Sequence, residues 1–397
     1  MKILRIVYDW PPPWDGLGPH PYEVTVSQAL LGHDITVFCA RWPNAGKIEE
    51  PKGTSVVGFI REPIEGTWFF TTSLLMFGYY LSWRSHNTPD IIHIHGHFGA
   101  WIYLYRRFLA IFNKNHPELS IPIVSHFHNT VAGRRAKFLS MNKPIKTISK
   151  YLSWPIAEWS DRQAIKQSKA HLFVSQDTRD EAVKFYSASL EKCYLVETGV
   201  NTHLFRPIGT EEFEKTRKDL GLDSRDIVIL NYGKMVERKN IHLLVEALPN
   251  LPITYKLLLV GSGDSSYIGR MKERITELGL TDRVIFVGYT PYPELPIAIQ
   301  ASNLFVLPSS WEGLPKVVME SLACKVKVLA SGFRVSEDIR GLFYLESLEP
   351  MDIAAKIQEV VQTEVDVDRD RIIDKFSWDK RVQIIEKVYE KITSADN

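Results

Sequence analysis

Short apolar runs recur through both halves of this 397-residue chain, with helix-length segments between them, and that alternation leaves few folds open. The runs fall at 3–7, 35–38, 91–94, 121–124, 171–174 and 192–196, then at 228–230, 255–260, 284–287, 304–307 and 326–329. Each is too short for a helix and nearly unbroken in apolar character, as strands buried on both faces are. Helical character lies between them, as in 24–31, so the strands predict parallel sheets covered by helices. A chain of this length exceeds what one core usually supports. The two series of runs therefore read as two doubly wound domains. They part near 205–220, where the charge-rich stretch Thr210-Glu-Glu-Phe-Glu-Lys-Thr-Arg-Lys-Asp219 reads as a linker.

Composition removes several function classes. Forty-eight basic residues against 47 acidic ones leave a net charge of +1, so nothing draws the chain to nucleic acid. Three widely spaced cysteines, Cys39, Cys193 and Cys324, make neither a disulfide framework nor a zinc site, which suits a reducing compartment. The opening apolar run is far shorter than the core of a secretion signal. A cytoplasmic protein is expected. The uncharged stretch 67–83 holds Trp68, Phe69, Phe70, Phe77, Tyr79, Tyr80 and Trp83, but Gly78 and several polar groups interrupt it. It predicts a helix ahead of the 91–94 strand rather than a membrane span.

The segment 304–320 carries the strongest chemical signal. An apolar run ends in Pro308-Ser-Ser-Trp311, and a helix is predicted from Lys316 to about Cys324, with Glu312 in the turn and Glu320 two turns up the helix. In open parallel sheets, ligands bind outside the carboxyl ends of strands, where helix starts offer backbone N–H groups to anions. A carboxylate at such a place has another use, since it can accept two hydrogen bonds from vicinal sugar hydroxyls. Read alone, Glu320 is a solvated helix-face acid; its neighbours give it the other use. The loop Asn231-Tyr-Gly-Lys234-Met-Val-Glu-Arg-Lys239-Asn240 places two lysines after a strand and before a helix, the arrangement of a phosphate site or of a solvated basic turn. Glycines follow two further strands, at Gly261, Gly263 and Gly288.

In this order the motifs closely resemble the retaining, nucleotide-sugar-dependent glycosyltransferases of family four, with the E-x7-E pattern at Glu312 and Glu320. The resemblance spans nearly the whole chain and is most specific over 228–345. It implies the α/β GT-B fold: two Rossmann-like, doubly wound parallel-sheet domains facing a cleft, with a C-terminal helix returning to the first. The implied domains are 1–205 for the acceptor, 206–375 for the nucleotide sugar and 376–397 for the closing helix, with Ser377 as its N-cap. The implied catalytic set is Glu312, His128, Lys234 and Lys239. The donor is implied to contact Glu320, Gly16, Gly313, Leu314, Pro315, Lys316, Gly288 and Tyr289. Lys234 and Lys239 would hold the diphosphate, Glu312 the transferred sugar, Glu320 the ribose, and Gly288 with Tyr289 the base. His128, in Ser125-His-Phe-His128, matches the histidine that faces the transferred sugar, with His126 as its near neighbour.

The resemblance implies a nucleotide-diphosphate sugar as donor, UDP or GDP, with no cofactor and no metal. Asp366-Val-Asp368-Arg-Asp370 has the look of a metal motif but reads as a solvated linker. His93, His95 and His97 would share one face of a strand, and no acid or cysteine cluster supports a metal there. The acceptor is expected to be a glycan or a lipid-linked sugar. Nine basic residues in 131–170 (Arg134, Arg135, Lys137, Lys143, Lys146, Lys150, Arg162, Lys166 and Lys169) face only Glu158 and Asp161 and are interleaved with apolar side chains. They read as peripheral contact with an anionic membrane, at the inner face of the cell membrane, or as a solvated basic face. Two alternatives to the main reading are a soluble sugar or sugar-phosphate synthase of the same fold and a non-catalytic sugar-nucleotide-binding scaffold. The chain departs from the family pattern at Asp15, Thr198, Asn201 and Lys234. It does so again at Lys325 and Lys327, which stand where a Gly-x-Pro turn is usual, and in the shortened segment 336–344.

Overall fold

A computed structural model describes residues 1–397 apart from 15–16, 141–146, 148, 313, 336–337 and 395–397, with the side chains of 137–140 and 149 also left undescribed. Two compact units form, Met1–Thr198 with Arg381–Asn397, and Gly199–Lys380.

The first unit holds β1 (Lys2–Ile6), β2 (Asp34–Arg41), β3 (Thr54–Ile60), β4 (Ile91–His95), β5 (Ile123–Phe127), β6 (Ala170–Phe173) and β7 (Cys193–Leu195). They make one sheet in the order β3-β2-β1-β4-β5-β6-β7, with every pair parallel. The second unit holds β8 (Ile227–Tyr232), β9 (Tyr255–Val260), β10 (Val284–Gly288), β11 (Leu304–Leu307), β12 (Lys327–Ala330) and β13 (Leu342–Tyr344). Their order is β10-β9-β8-β11-β12-β13, again parallel throughout. Central strands are buried from their second residue onward, and β4, β5 and β11 throughout, because helices cover both faces. Leu4, Ile6, Ile92, Ile94 and Phe127 pack in one core and Ile229, Leu257, Leu259, Leu304 and Val306 in the other. Each such side chain contributes roughly 1.5–3 kcal/mol on burial.

In both sheets the strand order reverses once, between β1 and β4 and between β8 and β11. Adjacent crossovers leave in opposite directions there and open a crevice at the strands' carboxyl ends. These two switch points position everything that follows.

The sequence pattern missed β3 and β13. Both lie at sheet edges and are only partly buried, so their residues alternate or mix instead of forming an apolar run. The linker expected at 210–219 is a helix, Thr210–Asp219. Its acids Glu211 and Glu212 sit in the first turn and Arg217 and Lys218 in the last, each complementing the helix dipole. Arg217 is buried and donates to the carbonyls of Ala301, Asp223 and Asp226, so the charge that suggested solvent is used inside. The aromatic stretch forms the helix Phe69–Arg84, and among the described residues no helix is long and apolar enough to cross a membrane. Ser377 Oγ accepts the Lys380 N–H at 3.3 Å at the start of the helix Trp378–Ser394. Further along that helix Glu386 meets Gln28 at 2.6 Å and His33 at 2.7 Å.

The two lysine departures have separate physical accounts. The helix Lys316–Ala323 ends in a Schellman motif, with the Val326 N–H on Ser321 O at 3.0 Å and the Lys325 N–H on Leu322 O at 3.0 Å. Lys325 takes the left-handed position at φ +62°, where glycine is usual. Lys327 caps a different helix, donating to Val360 O, Val361 O and Thr363 O at 2.8, 2.8 and 3.1 Å at the end of Pro350–Gln362. A cation there meets the negative end of the helix dipole. Asp368, from the acidic triplet, caps the helix Arg369–Phe376 by accepting the Arg371 N–H.

Candidate functional site

The loops that follow β8, β9 and β11 pack together at the second switch point. A Cβ on Gly261, at φ +127°, would lie 2.1 Å from Gly233 O, so the first two loops touch backbone to backbone only because glycine is there. Gly332 plays the same part for the third loop: its carbonyl accepts the Glu312 N–H at 2.7 Å, and a Cβ on it would meet Ser309 O at 2.6 Å.

Lys239 ends the single turn Glu237–Lys239, and its Nζ lies over Gly233, 2.9 Å from where a Cβ would stand. The lysine is 8% exposed, and burial lowers its pKa against the attraction of Glu312 and Glu320. One ammonium therefore sits in the field of both glutamates. Lys234 is exposed on the same loop. Glu312 accepts from Arg238 at 2.7 Å and from Ser309 Oγ at 2.9 Å, which fixes its carboxylate in the turn. Arg238 also donates to Trp311 O at 3.1 Å, so it ties the lysine loop to the Glu312 turn.

Glu320 is fully buried, not a solvated helix-face acid. Burial raises its pKa, opposed by Lys316, by the hydrogen bond from Tyr232 and by Lys239. Tyr232 Oη lies 2.8 Å from Glu320 Oε2 and 2.9 Å from Val317 O, so its single proton has two acceptors. Leu314 and Pro315 lead into the helix at Lys316, whose first turn carries no acid. Gly288 takes φ +84°, and its carbonyl accepts the Gly261 N–H at 2.7 Å. That carbonyl is thus committed to loop packing, while the adjacent Tyr289 is 50% exposed. Gly313 and Gly16 lie outside the described residues.

The first switch point has a different character. His93 and His95 on β4 share a face as their spacing predicts, but His97 leaves the strand and packs against Trp68 and Phe69 at 4.6 Å. The third member of the row is His126 of β5, which the sheet register sets beside His95. His93 Nδ1 meets Tyr389 Oη at 2.5 Å and His93 Nε2 meets His126 Nδ1 at 3.2 Å, while His95 Nδ1 meets His128 Nε2 at 3.0 Å. Burial holds His93, His95 and His126 well below the usual histidine range, with the Arg5 charge and the neighbouring rings adding to the effect.

Nitrogens of His93, His95 and His126 lie within 4.8 Å of one another, close enough to raise the question of a metal. The His93 ring, however, is nearly parallel to those of His95 and His126, at 16° and 15°. Lone pairs lie in the ring plane, so stacked rings aim theirs side by side instead of at one tetrahedral centre. The donor set fits a hydrogen-bonded stack better than a cation.

Two family models match this chain: one described as Glycosyltransferase Family 4 over residues 14–204, and one as Glycosyl transferases group 1 over 212–376. The chain belongs to glycosyltransferase family 4. This glycosyltransferase is 22% identical to an uncharacterized glycosyltransferase of Methanocaldococcus jannaschii, over 98% of each chain. It is 23% identical to the GDP-mannose-dependent phosphatidylinositol monomannoside mannosyltransferase of Mycolicibacterium smegmatis, over 83% of this chain and 80% of that one. Its fold is GT-B. It superposes on sucrose-phosphate synthase from Thermosynechococcus elongatus with a TM-score of 0.71 at 18% identity, covering 100% of both chains. On Anabaena HepE in complex with UDP and glucose the TM-score is 0.66 at 17% identity, over 98% of this chain and 100% of that one.

Sequence reasoning about this glycosyltransferase missed Arg238 and Tyr232. Arg238 carried a usable signal, since it stands beside Lys239 in a loop already singled out. Tyr232 carried none, because a tyrosine closing an apolar strand reads as core.

Proposed function

We propose that the second unit binds a nucleotide-diphosphate sugar and that the enzyme transfers the sugar with retention of anomeric configuration. The observation that carries this reading is the buried Lys239 ammonium in the field of Glu312 and Glu320 at the β8/β11 switch point. As the glycosidic bond breaks, negative charge grows on the departing diphosphate. Lys239 and Lys234, with the free N–H groups at the start of Lys316–Ala323, supply positive charge where it develops. No metal is needed for that charge balance.

Glu312, held by Arg238 and Ser309, would accept hydroxyls of the transferred sugar. Glu320 would accept the ribose hydroxyls at Oε1, with Oε2 occupied by Tyr232. Its desolvated carboxylate gains more from two hydroxyl donors than an exposed one would. We place the attack on the leaving-group face, with Glu312 binding the transferred sugar's hydroxyls and not acting as a nucleophile. His128 would face the sugar from the first unit, its Nε2 set by His95. UDP or GDP is the base carrier, in line with the UDP complex of the Anabaena structure and the GDP-mannose dependence in a relative's name. Gly288, Tyr289, Gly16, Gly313, Leu314 and Pro315 complete the donor contacts.

The acceptor is a glycan or a lipid-linked sugar, and peripheral contact with an anionic membrane runs through 131–170. There Tyr151 and Leu152 are exposed at 70% and 42%, whereas Arg135 and Arg162 already share Glu158. Co-sedimentation with vesicles containing phosphatidylglycerol, but not with neutral vesicles, is the expected result.

A thermal-shift panel of UDP-, GDP- and ADP-sugars tests the central claim, with Glu320→Ala and Lys239→Ala as controls. One nucleotide should stabilise the protein selectively, and both variants should lose the effect. Folded protein that no nucleotide stabilises would overturn the donor reading.

A further inference from the structure

The helices Phe69–Arg84 and Ala100–Phe112 lie side by side in the first unit, with Phe70 on Trp101 at 5.1 Å and Phe77 on Tyr105 at 5.7 Å. Their outward sides are apolar. On the first helix Leu74 and Leu81 are exposed beside the residues that meet its neighbour, and no charge precedes Arg84. On the second, Leu104, Phe108 and Phe112 recur at four-residue steps with Ile111 among them. Phe108, Ile111 and Phe112 are 55%, 63% and 71% exposed. Residues three, four and seven apart share a helix face, so these side chains form one strip across the pair. A contiguous exposed apolar strip of this kind marks a contact surface.

The strip has a basic border. On the other side of Ala100–Phe112 a cleft of ≈ 430 Å³ opens toward the helix Trp154–Gln167, lined by Arg106, Arg107, Leu119, Gln163, Lys166 and Gln167 among others. Arg106 is buried and donates to the carbonyls of Glu118, Leu119 and Ile121 at 2.7, 3.1 and 3.0 Å. Arg107 and Lys166 are exposed, and Lys114 follows just past Phe112, exposed as well. Among the described residues none of these last three cations is paired with a carboxylate.

The nearby acids are engaged elsewhere. Between Phe69 and Pro117 the sequence has one, Asp90, and it accepts the Lys2 N–H at 2.7 Å. Glu118 is buried against Arg84 and Tyr80, Glu158 is shared by Arg135 and Arg162, and Asp161 is buried. An apolar strip bordered by free cations complements a surface that is oily within and anionic outside. A second copy related by a twofold axis would instead bring this cationic border against itself. Because Ala100–Phe112 starts at the carboxyl end of β4 and runs back, its aromatic end lies near the strands' amino ends. A partner there leaves the crevice at the carboxyl ends open.

Resting on the peripheral membrane contact proposed above, we infer that this helix face docks on an anionic lipid surface. Phe108, Ile111, Phe112, Leu74 and Leu81 enter the boundary between headgroups and acyl chains, and the cleft at Arg107 and Lys166 takes headgroup phosphates. Lys166 belongs to the 131–170 stretch, whereas the apolar anchor stands on the neighbouring helices.

Flotation of the full chain with phosphatidylcholine vesicles, with and without phosphatidylglycerol, tests this. Wild type should float with the anionic vesicles alone, and added salt should release it. Arg107→Gln with Lys166→Gln should lower the partition coefficient about 25-fold, at about fivefold per charge near the surface. Phe108→Ser with Phe112→Ser should lower it at least about tenfold. Tyr151→Ser with Leu152→Ser reads the rest of the 131–170 contact by itself. Equal flotation with both vesicles, or unchanged flotation in both helix-face variants, would overturn the assignment. A loss confined to Tyr151→Ser with Leu152→Ser sinks this face and leaves the 131–170 contact standing, and wild type that floats with neither vesicle sinks both. Sedimentation velocity covers the other occupant: a dimer that Phe108→Ser with Phe112→Ser dissociates would give the strip to a second copy. The substituted side chains are exposed, so unfolding midpoints should match wild type and show that each variant is folded.

Discussion

The two switch points share one topology and opposite chemistries. At β8/β11 the side chains are charged, a lysine in the field of two glutamates, on glycine-packed loops and the helix that follows them. At β1/β4 the side chains are aromatic and neutral, a stack of buried imidazoles. The same crevice of a doubly wound sheet can thus carry opposite chemistries, according to what the strand ends hold. In the second unit the residues come from two short contiguous segments. In the first they come from two neighbouring strands and the closing helix.

The sharpest way to break this comparison is Lys239→Ala. If the charged site holds the departing diphosphate, turnover of the nucleotide sugar should fall by about 10²–10³-fold, the usual loss when one preorganised donor is removed. Activity within a factor of a few of wild type would move the chemistry elsewhere. Gly261→Ala addresses the loop packing beneath it. A methyl group that must clear Gly233 O, at a strongly positive φ, should destabilise the protein by about 2–3 kcal/mol in chemical denaturation. An unchanged midpoint would show that the loops do not depend on that contact.

The neutral site makes a prediction about pH. Burial lowers the pKa of His93, His95 and His126, and that of His171 falls to about 4. The unfolded chain binds protons at these positions near pH 6.5, while the folded one resists them. Their stabilising contribution is therefore complete above about pH 6.5 and is lost as pH falls toward the folded values. Each histidine adds up to about 1.4 kcal/mol per pH unit in that window. Glu320, whose pKa is raised, works in the opposite sense as a single group. Denaturation midpoints from pH 7.5 to 5 should fall steeply, and His126→Phe should flatten the slope.

The smallest effect concerns Lys325, at the helix end that follows Glu320. Lys325→Gly should relieve the left-handed strain and raise stability by about 1 kcal/mol or less, offset in part by the lost ion pair with Asp366 and the extra freedom of glycine when unfolded. Turnover should not change. A loss of stability would mean that the exposed Lys325–Asp366 pair outweighs the backbone term.

What could be read in advance followed from how local each signal is. The strand-to-helix passage 304–320 and the lysine loop 231–240 are contiguous, so their place at a sheet's carboxyl edge was legible. The strands β3 and β13 were not, because edge strands need no apolar run. Lys327 looked like an irregular replacement of proline, yet it closes a helix more than thirty residues away, and no local pattern encodes that contact. His97 was assigned to the wrong face because the strand ends at His95, and a period of two holds only while the strand continues.

By itself the sequence determined the alternation of buried strands and helices, and with it two parallel sheets. It also determined the glycines that let loops approach and the pairing of acids and lysines on adjacent loops. These properties depend on periodicity and on residues within a few positions of one another. Only the tertiary structure decided that Arg238 fixes Glu312, that Tyr232 meets Glu320, and that His126 completes a stack begun by His93 and His95. It alone set the exposed apolar sides of Phe69–Arg84 and Ala100–Phe112 next to each other. Strand order and register set such neighbours, through the burial of whole sheet faces, and no short stretch of chain carries that information.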